Sequence, residues 1–312
     1  MKSFILGHTG MVGSALHRLL PDAATLPRYI DLRTREYWHE MKGWFRDADV
    51  LYMCAARVGG IGRNMAEPGS MIYDNLMIQT NVIEAARLAG VKLVVFLGSS
   101  CIYPAVSSIT PNAPWTENDL LKGSPEPTNE PYAIAKIAGI KMLEAYERQY
   151  GLQYLAVMPC NLYGPGDNFD PDTSHFLPAM IRKMYDAKVA GAASVTLWGT
   201  GTPRRELMHV DDCARIIVDL VSQNVCGLIN IGPGVDYHIR RYAEIVQSVT
   251  GYAGSVIWDH TRPDGVWRKL LDVSRMESSG IGASFVNHED GIASTYKWFL
   301  EHIAEHRAEH KA

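Results

Sequence analysis

The segment Gly7-His-Thr-Gly10-Met-Val-Gly13 constrains this chain more than any other. It follows the short apolar run Ser3–Leu6 and leads into an amphipathic stretch, Val12–Leu20. Glycines spaced GxxGxxG between a strand and a helix allow a tight turn and close helix–strand packing. They also let the backbone approach a pyrophosphate, which the helix N-terminus then faces. Gly7, Gly10, Met11, Val12 and Gly13 are therefore expected to hold a dinucleotide.

The first half of the chain supplies the sheet that such a loop needs. Ser3–Leu6, Val50–Ala55, Lys92–Leu97 and Gln153–Met158 read as strands, and Ala24–Ile30 as a weaker one. The clearer runs are apolar on both faces, as a sheet covered by helices on each side requires. Helical stretches lie between them: Val12–Leu20, Glu36–Arg46, Met71–Leu88 and Tyr132–Tyr150. This alternation predicts an α/β fold with a doubly wound parallel sheet. It breaks after Asn161-Leu-Tyr-Gly-Pro-Gly. Residues 1–164 are expected to form the dinucleotide-binding domain, with Val210–Val221 and Leu228–Gly232 returning to its sheet within about 208–234. The remainder, from 165 to 312, is expected to form mainly a smaller substrate-binding domain, with a small-molecule cleft between the two.

Composition narrows the function classes. The 312 residues carry 30 Lys+Arg and 34 Asp+Glu, a net charge of −4, without the basic surplus of a nucleic-acid binder. No apolar run reaches the roughly 20 residues that cross a bilayer. The N-terminus resembles a signal peptide only briefly, because three glycines interrupt it and no cleavage site follows. Five Cys without a CxxC pair argue against a disulfide framework or a zinc knuckle, so a reducing cytoplasm is expected.

Cofactor choice is set after the second strand. An acidic residue there bonds a ribose 2′-OH, whereas arginine pairs with a 2′-phosphate. Asp31-Leu-Arg33-Thr-Arg35 carries both signals. Arg33 and Arg35 are expected to face the 2′-phosphate of NADP, with a solvated pair of arginines as the alternative.

Tyr132-Ala-Ile-Ala-Lys136 opens a helix, and its i, i+4 spacing puts both side chains on one face. A phenol with an ordinary pKa of about 10 exchanges protons poorly at neutral pH. A nearby lysine cation is expected to favour the phenolate. Ser99, just past the fourth strand, would reach the same site and polarise a carbonyl.

Gly98-Ser-Ser-Cys101-Ile-Tyr-Pro104, Glu126-Pro-Thr-Asn-Glu-Pro-Tyr132-Ala-Ile-Ala-Lys136, Met158-Pro-Cys-Asn161-Leu-Tyr-Gly-Pro165 and Arg268-Lys269-Leu-Leu-Asp272 resemble the GDP-L-fucose synthase family. These are NADPH-dependent extended short-chain dehydrogenase/reductases with a Rossmann sheet. The resemblance spans nearly the whole chain. It implies 3,5-epimerisation of GDP-4-keto-6-deoxy-D-mannose, NADPH-dependent reduction at C4, and a homodimer with Met71–Leu88 and Tyr132–Tyr150 at its interface. It implies Ser99, Tyr132 and Lys136 as the reductive triad, with Lys136 and Asn161 also touching cofactor. Cys101 and His175 match the epimerisation pair, and Lys183, Trp198, Arg205 and Lys269 the contacts to GDP. Thr9 and Lys183 depart from the family, which commonly has arginine at both places.

A C4 ketone acidifies the C–H bonds at C3 and C5, and inverting either centre needs an acid and a base on opposite faces. A Cys101 thiolate is the expected base and His175 the acid. The alternatives are a small buried apolar residue for Cys101 and a helix-start histidine for His175. Cys101, two residues beyond Ser99, faces the cleft if that segment is extended. His302, His306 and His310 form an i, i+4, i+8 row, read as a solvated terminal helix and not a metal site. A 4-epimerase or 4,6-dehydratase of the same frame, or a non-catalytic NADP sensor, are the competing functions. Cys101 opposes the first two and the Tyr132–Lys136 pair the last.

Overall fold

The computed structural model describes residues 1–27, 29–105, 113–170, 173–262, 264–281 and 284–308, with backbone alone for Ile61 and 304–308. The first half runs β1 (Ser3–Leu6), α1 (Met11–Leu19), β2 (Ala24–Thr25), α2 (Trp38–Phe45), β3 (Val50–Met53), α3 (Ile61–Ala66), α4 (Pro68–Ala89), β4 (Leu93–Leu97), α5 (Glu130–Tyr150) and β5 (Gln153–Pro159). Then follow β6 (Asn161–Tyr163), α6 (Phe176–Val189), β7 (Ser194–Trp198), β8 (Arg204–Arg205), β9 (Leu207–His209), α7 (Val210–Ser222) and β10 (Gly227–Ile231). The chain closes with β11 (Tyr237–His238), α8 (Ile239–Thr250), β12 (Ser255–Asp259), β13 (Arg268–Lys269), α9 (Ser274–Ser278) and α10 (His288–Ala308).

Six strands form the expected parallel sheet, in the order β10-β5-β4-β3-β1-β2. The strand order reverses between β1 and β3, which opens a crevice at their carboxyl ends. The returning strand β10 pairs with β5, Ile229 opposite Val157. β3 is buried at every residue, as a strand covered on both faces must be. Helices α4 and α5 pack on each other, with α2 against α4, while α1 packs on α7.

A large apolar core fills both faces of this sheet. A second, smaller core gathers Leu177, Ile181, Met184, Leu197, Tyr242, Val246 and Phe299 from α6, β7, α8 and α10. Fully buried Asn230 of β10 ties the chain beside this junction. Its amide donates to the carbonyls of Trp115 (2.9 Å) and Asp272 (3.0 Å), and its carbonyl accepts from Tyr103 (2.6 Å). Every polar group of its side chain is thereby satisfied inside the core.

Three local expectations need correction. The strand at Ala24–Ile30 stops at Thr25, because Pro27 cannot donate to a ladder. The helix expected from Met71 starts at Pro68, where proline suits the first turn. Ser99–Cys101 is not extended: Ser100–Ile102 forms a 3₁₀ turn, with Ser99 Oγ accepting the Cys101 N–H at 3.2 Å.

Candidate active site

The glycine loop has the shape expected of a phosphate cradle. A Cβ on Gly13 would stand 2.1 Å from the Gly7 carbonyl oxygen, so only glycine allows α1 to approach β1 this closely. Gly7 itself sits at φ +78°, and a Cβ there would press on Ala55 N at 2.7 Å. Gly10 caps α1 without a side chain, and no acidic residue occupies the first turn. The amides of Met11, Val12 and Gly13 thus form a helix N-terminus suited to an anion.

At the neighbouring loop Arg33 folds back on Asp31 (Nη2–Oδ2 2.7 Å) and reaches Asp74 at 3.4 Å. Arg57 joins the buried Asp74 at 2.7 Å and also pairs with Glu67. Asp74 thereby bridges the loops after β2 and β3. Arg35 is exposed, with no ion pair among the described residues. The two arginines of the motif are thus unequal: one is clamped and one is available.

Lys136 is buried and donates to the carbonyl of Leu97, the last residue of β4, at 2.8 Å. This bond fixes the first turns of α5 beside the end of β4. Tyr132 lies one turn earlier, its ring centre 5.8 Å from Lys136 Nζ. Burial lowers the Lys136 ammonium to about 8. Burial, with Cys101 beside it, pushes the Tyr132 phenol up. Desolvation and not the lysine charge therefore sets the direction at the phenol, and it favours the protonated form.

The 3₁₀ turn after Ser99 still delivers Cys101 to the cleft. Ser100, Cys101, Glu126, Asn161 and Lys269 line one pocket. Lys269 Nζ stands 3.6 Å from Cys101 Sγ. Asn161, read as a cofactor contact, opens on this pocket. His175 is the N-cap residue of α6, with no capping bond from its side chain, and is solvent-exposed. Surrounding protein and the Lys269 charge both lower its pKa, so the free imidazole is the neutral form. Lys269 therefore sits within electrostatic reach of both members of the expected acid–base pair.

Two very short strands aim the cations. β13 pairs with β8 in parallel, Lys269 opposite Arg205 and Arg268 opposite Arg204. Side chains alternate along a strand. On one side, Arg204 (2.8 Å) and Arg268 share the buried carboxylate of Asp236. The other side presents Arg205 and Lys269. Arg205 is buried with no carboxylate at ion-pair distance among the described residues, an arrangement that suits an anionic ligand. Farther along, Trp198 at the end of β7 is 60% exposed, with Lys183 Nζ 5.4 Å and Arg262 5.0 Å from its ring centre. Of the histidine row, His302 stacks on Trp298 at 4.2 Å. The His306 side chain and His310 lie outside the described residues.

The sequence reading missed Asp236, Glu126, Asp74 and Arg262. Glu126 falls within a quoted motif, and its charge was the signal available. Asp236 and Asp74 act through partners 32 and 41 residues away, which no local spacing reveals.

Residues 3–232 match the NAD dependent epimerase/dehydratase family. The chain is 45% identical to the GDP-L-fucose synthase of Escherichia coli, over 96% of this chain and 97% of that one. A C. jejuni GDP-6-OMe-4-keto-L-xylo-heptose reductase superposes with a TM-score of 0.85 at 30% identity, covering 96% of this chain and 98% of its own. A GDP-L-fucose synthetase from Naegleria fowleri, crystallised with NADP, superposes at 0.84 with 25% identity, covering 96% and 93%. The phosphate cradle, the Tyr132–Lys136 pair and these likenesses lead to one assignment: the chain belongs to the GDP-L-fucose synthase family, within the NAD dependent epimerase/dehydratase family.

Proposed function

We propose that this protein converts GDP-4-keto-6-deoxy-D-mannose to GDP-L-fucose, first inverting C3 and C5 and then reducing C4 with NADPH. What supports the reading is the surroundings of Cys101: its sulfur lies 3.6 Å from Lys269 Nζ, it acts electrostatically on Tyr132, and the Lys269 charge reaches His175. The glycine loop, with Met11, Val12 and Gly13 at the head of α1, holds the pyrophosphate. Arg35 faces the 2′-phosphate, joined by Arg33 when it leaves Asp31. When bound, NADPH supplies the hydride to C4.

The protein's own groups do the rest. Ser99 Oγ polarises the C4 carbonyl, which acidifies the neighbouring C–H bonds. The Cys101 thiolate removes a proton from one face, and His175, once protonated, returns one from the other. Ser99 and Tyr132 hold the C4 oxygen, and Tyr132 gives it a proton during reduction. Lys136 contributes charge beside that oxygen and holds the nicotinamide ribose; Asn161 lines the sugar pocket. Arg205 and Lys269 bind the diphosphate, with Lys183 and Trp198 on the nucleoside side. The larger core thus serves NADP and the smaller one the nucleotide sugar.

All five cysteines are free, and no helix among the described residues is long and apolar enough to cross a membrane. A cytoplasmic setting belongs to the same reading, and the net charge of −4 lacks the basic surplus of a nucleic-acid binder. A homodimer through α4 and α5 completes the reading.

The test is incubation with NADPH and GDP-4-keto-6-deoxy-D-mannose, with the product identified by NMR. GDP-L-fucose is expected, with deuterium at C3 and C5 when the reaction runs in D₂O. The likeness to the C. jejuni reductase favours one second reading, a plain C4 reductase of another GDP-4-keto-sugar. Reduction without deuterium at either carbon would establish it. In Cys101→Ser, exchange at both carbons should fall by about 10²–10⁴-fold with NADPH binding intact.

A further inference from the structure

The geometry points to Glu126 as a positioning residue for the chemistry at Cys101: it holds the Lys269 ammonium against the sulfur, making Lys269 the counter-ion of the thiolate. This rests on the epimerase reading above and adds two roles to it. Lys269 Nζ lies 3.6 Å from Cys101 Sγ and 3.8 Å from Glu126 Oε2. One ammonium thus spans a thiol and a carboxylate. The carboxylate is itself fixed: Thr128 Oγ1 donates to Glu126 Oε1 at 3.0 Å, and the Asn129 N–H donates to the Glu126 carbonyl at 3.1 Å. The same short loop leads directly into α5 and Tyr132. From the other side, pairing with β8 fixes the backbone of Lys269. A long, flexible side chain is thereby held at both ends.

The charges around the sulfur give this arrangement its purpose. Lys269 and Arg205 face Cys101 as cations and Tyr132 as a neutral phenol, while Glu126 faces both cations and His175 faces Lys269. During proton abstraction an S–H bond forms as a C–H bond breaks, and the electron pair passes to the C4 oxygen. Negative charge leaves the sulfur, so a cation beside it stabilises the reactant form, which is the nucleophilic and basic one. His175 then loses its proton to carbon and ends as neutral imidazole, which Lys269 favours. One fixed ammonium serves both ends of the transfer.

The test exploits a sign. Removing the Glu126 charge while Lys269 stays in place would favour the thiolate by electrostatics alone. Releasing Lys269 from its tether would disfavour it. Iodoacetamide labelling of Cys101 in the full chain with NADPH bound, followed by peptide mass spectrometry, reads the thiolate directly. Glu126→Gln should slow labelling at pH 7 by at least about tenfold and move its pH profile upward. Glu126→Asp should recover part of the rate. Lys269→Gln should slow labelling as well, and adding Glu126→Gln to it should slow it no further. NADPH binding confirms that each variant is folded. Unchanged or faster labelling in Glu126→Gln, or a further loss in the double variant, would overturn the role of Glu126. Unchanged labelling in Lys269→Gln would overturn the counter-ion. Labelling needs no sugar, so these outcomes are independent of which product the enzyme makes.

Discussion

Tyr132 keeps its proton in this structure because burial opposes the phenolate, and a neutral phenol is the form that can protonate an oxyanion. Tyr132→Phe should therefore lower reduction by about 10²–10⁴-fold while leaving deuterium exchange at C3 and C5. Reduction at near wild-type rate would remove Tyr132 from the mechanism. The pair was legible in the sequence because a helical period places residues i and i+4 together whatever the tertiary structure. Its energetics were not, since desolvation depends on what packs around the pair. The arginines after β2 divide in the same way. Their presence was legible, but the clamp of Arg33 by Asp31 and by distant Asp74 was not. Arg35 has no ion pair among the described residues, and a charged hydrogen bond is worth about 1.5–3 kcal/mol. Arg35→Ala should thus shift the ratio of kcat/KM for NADPH over NADH by about tenfold or more. An unchanged ratio would instead place the discrimination on Arg33.

At the scale of elements, the strands β8 and β13 are two residues each, too short for any period to show in sequence. Backbone pairing forms them, and Asp236 joins Arg204 to Arg268 across them. The long parallel strands were readable because their burial on both faces leaves continuous apolar runs, and the 3₁₀ turn at Cys101 was not, because one capping bond from Ser99 decides it. Burial alone would raise the Asp236 carboxyl, but Arg268 and Arg204 outweigh it and lower its pKa below the ordinary 3.8. A carboxyl depressed in the folded state stabilises above the unfolded pKa, and that contribution is lost as pH falls through the folded one. Asp236→Asn should therefore destabilise near neutrality, with a penalty that starts to shrink below pH about 4 and vanishes only below the folded pKa, which lies under 3.8. The guanidinium groups keep partial solvation, so the cost should be about 2–3 kcal/mol, below that of a fully buried pair. Arg205 and Lys269 share the same strands, so KM for the GDP-sugar should rise as well. Denaturant unfolding followed from pH 7 down to pH about 2, beside steady-state kinetics, measures both. A pH-independent penalty would show that the ion pair is not its origin.

Across the whole molecule, the helix that carries Tyr132 and Lys136 is also an outer surface. Ile134 follows Tyr132 by two residues, about 200° around α5, so it points away from the cleft and is 40% exposed. Tyr73 on α4 is 60% exposed, and the two helices pack side by side. A paired helical face carrying large apolar groups matches itself under a two-fold axis, each copy contributing two helices to a four-helix layer. A stable contact of this kind buries about 1,200–2,000 Å² in total. The partner would press on the side of α5 opposite Tyr132 and Lys136, stiffening the helix that presents them. Ile134→Glu places a charge at that contact without touching the cleft. Light scattering at micromolar concentration should show a dimer for the wild type and a monomer for the variant. Reduction by the variant should slow several-fold, with NADPH binding retained through the glycine loop. A wild-type monomer under these conditions would exclude the interface. A monomeric variant with full activity would separate assembly from catalysis and leave α5 held by its own packing on α4 and by the Lys136–Leu97 bond.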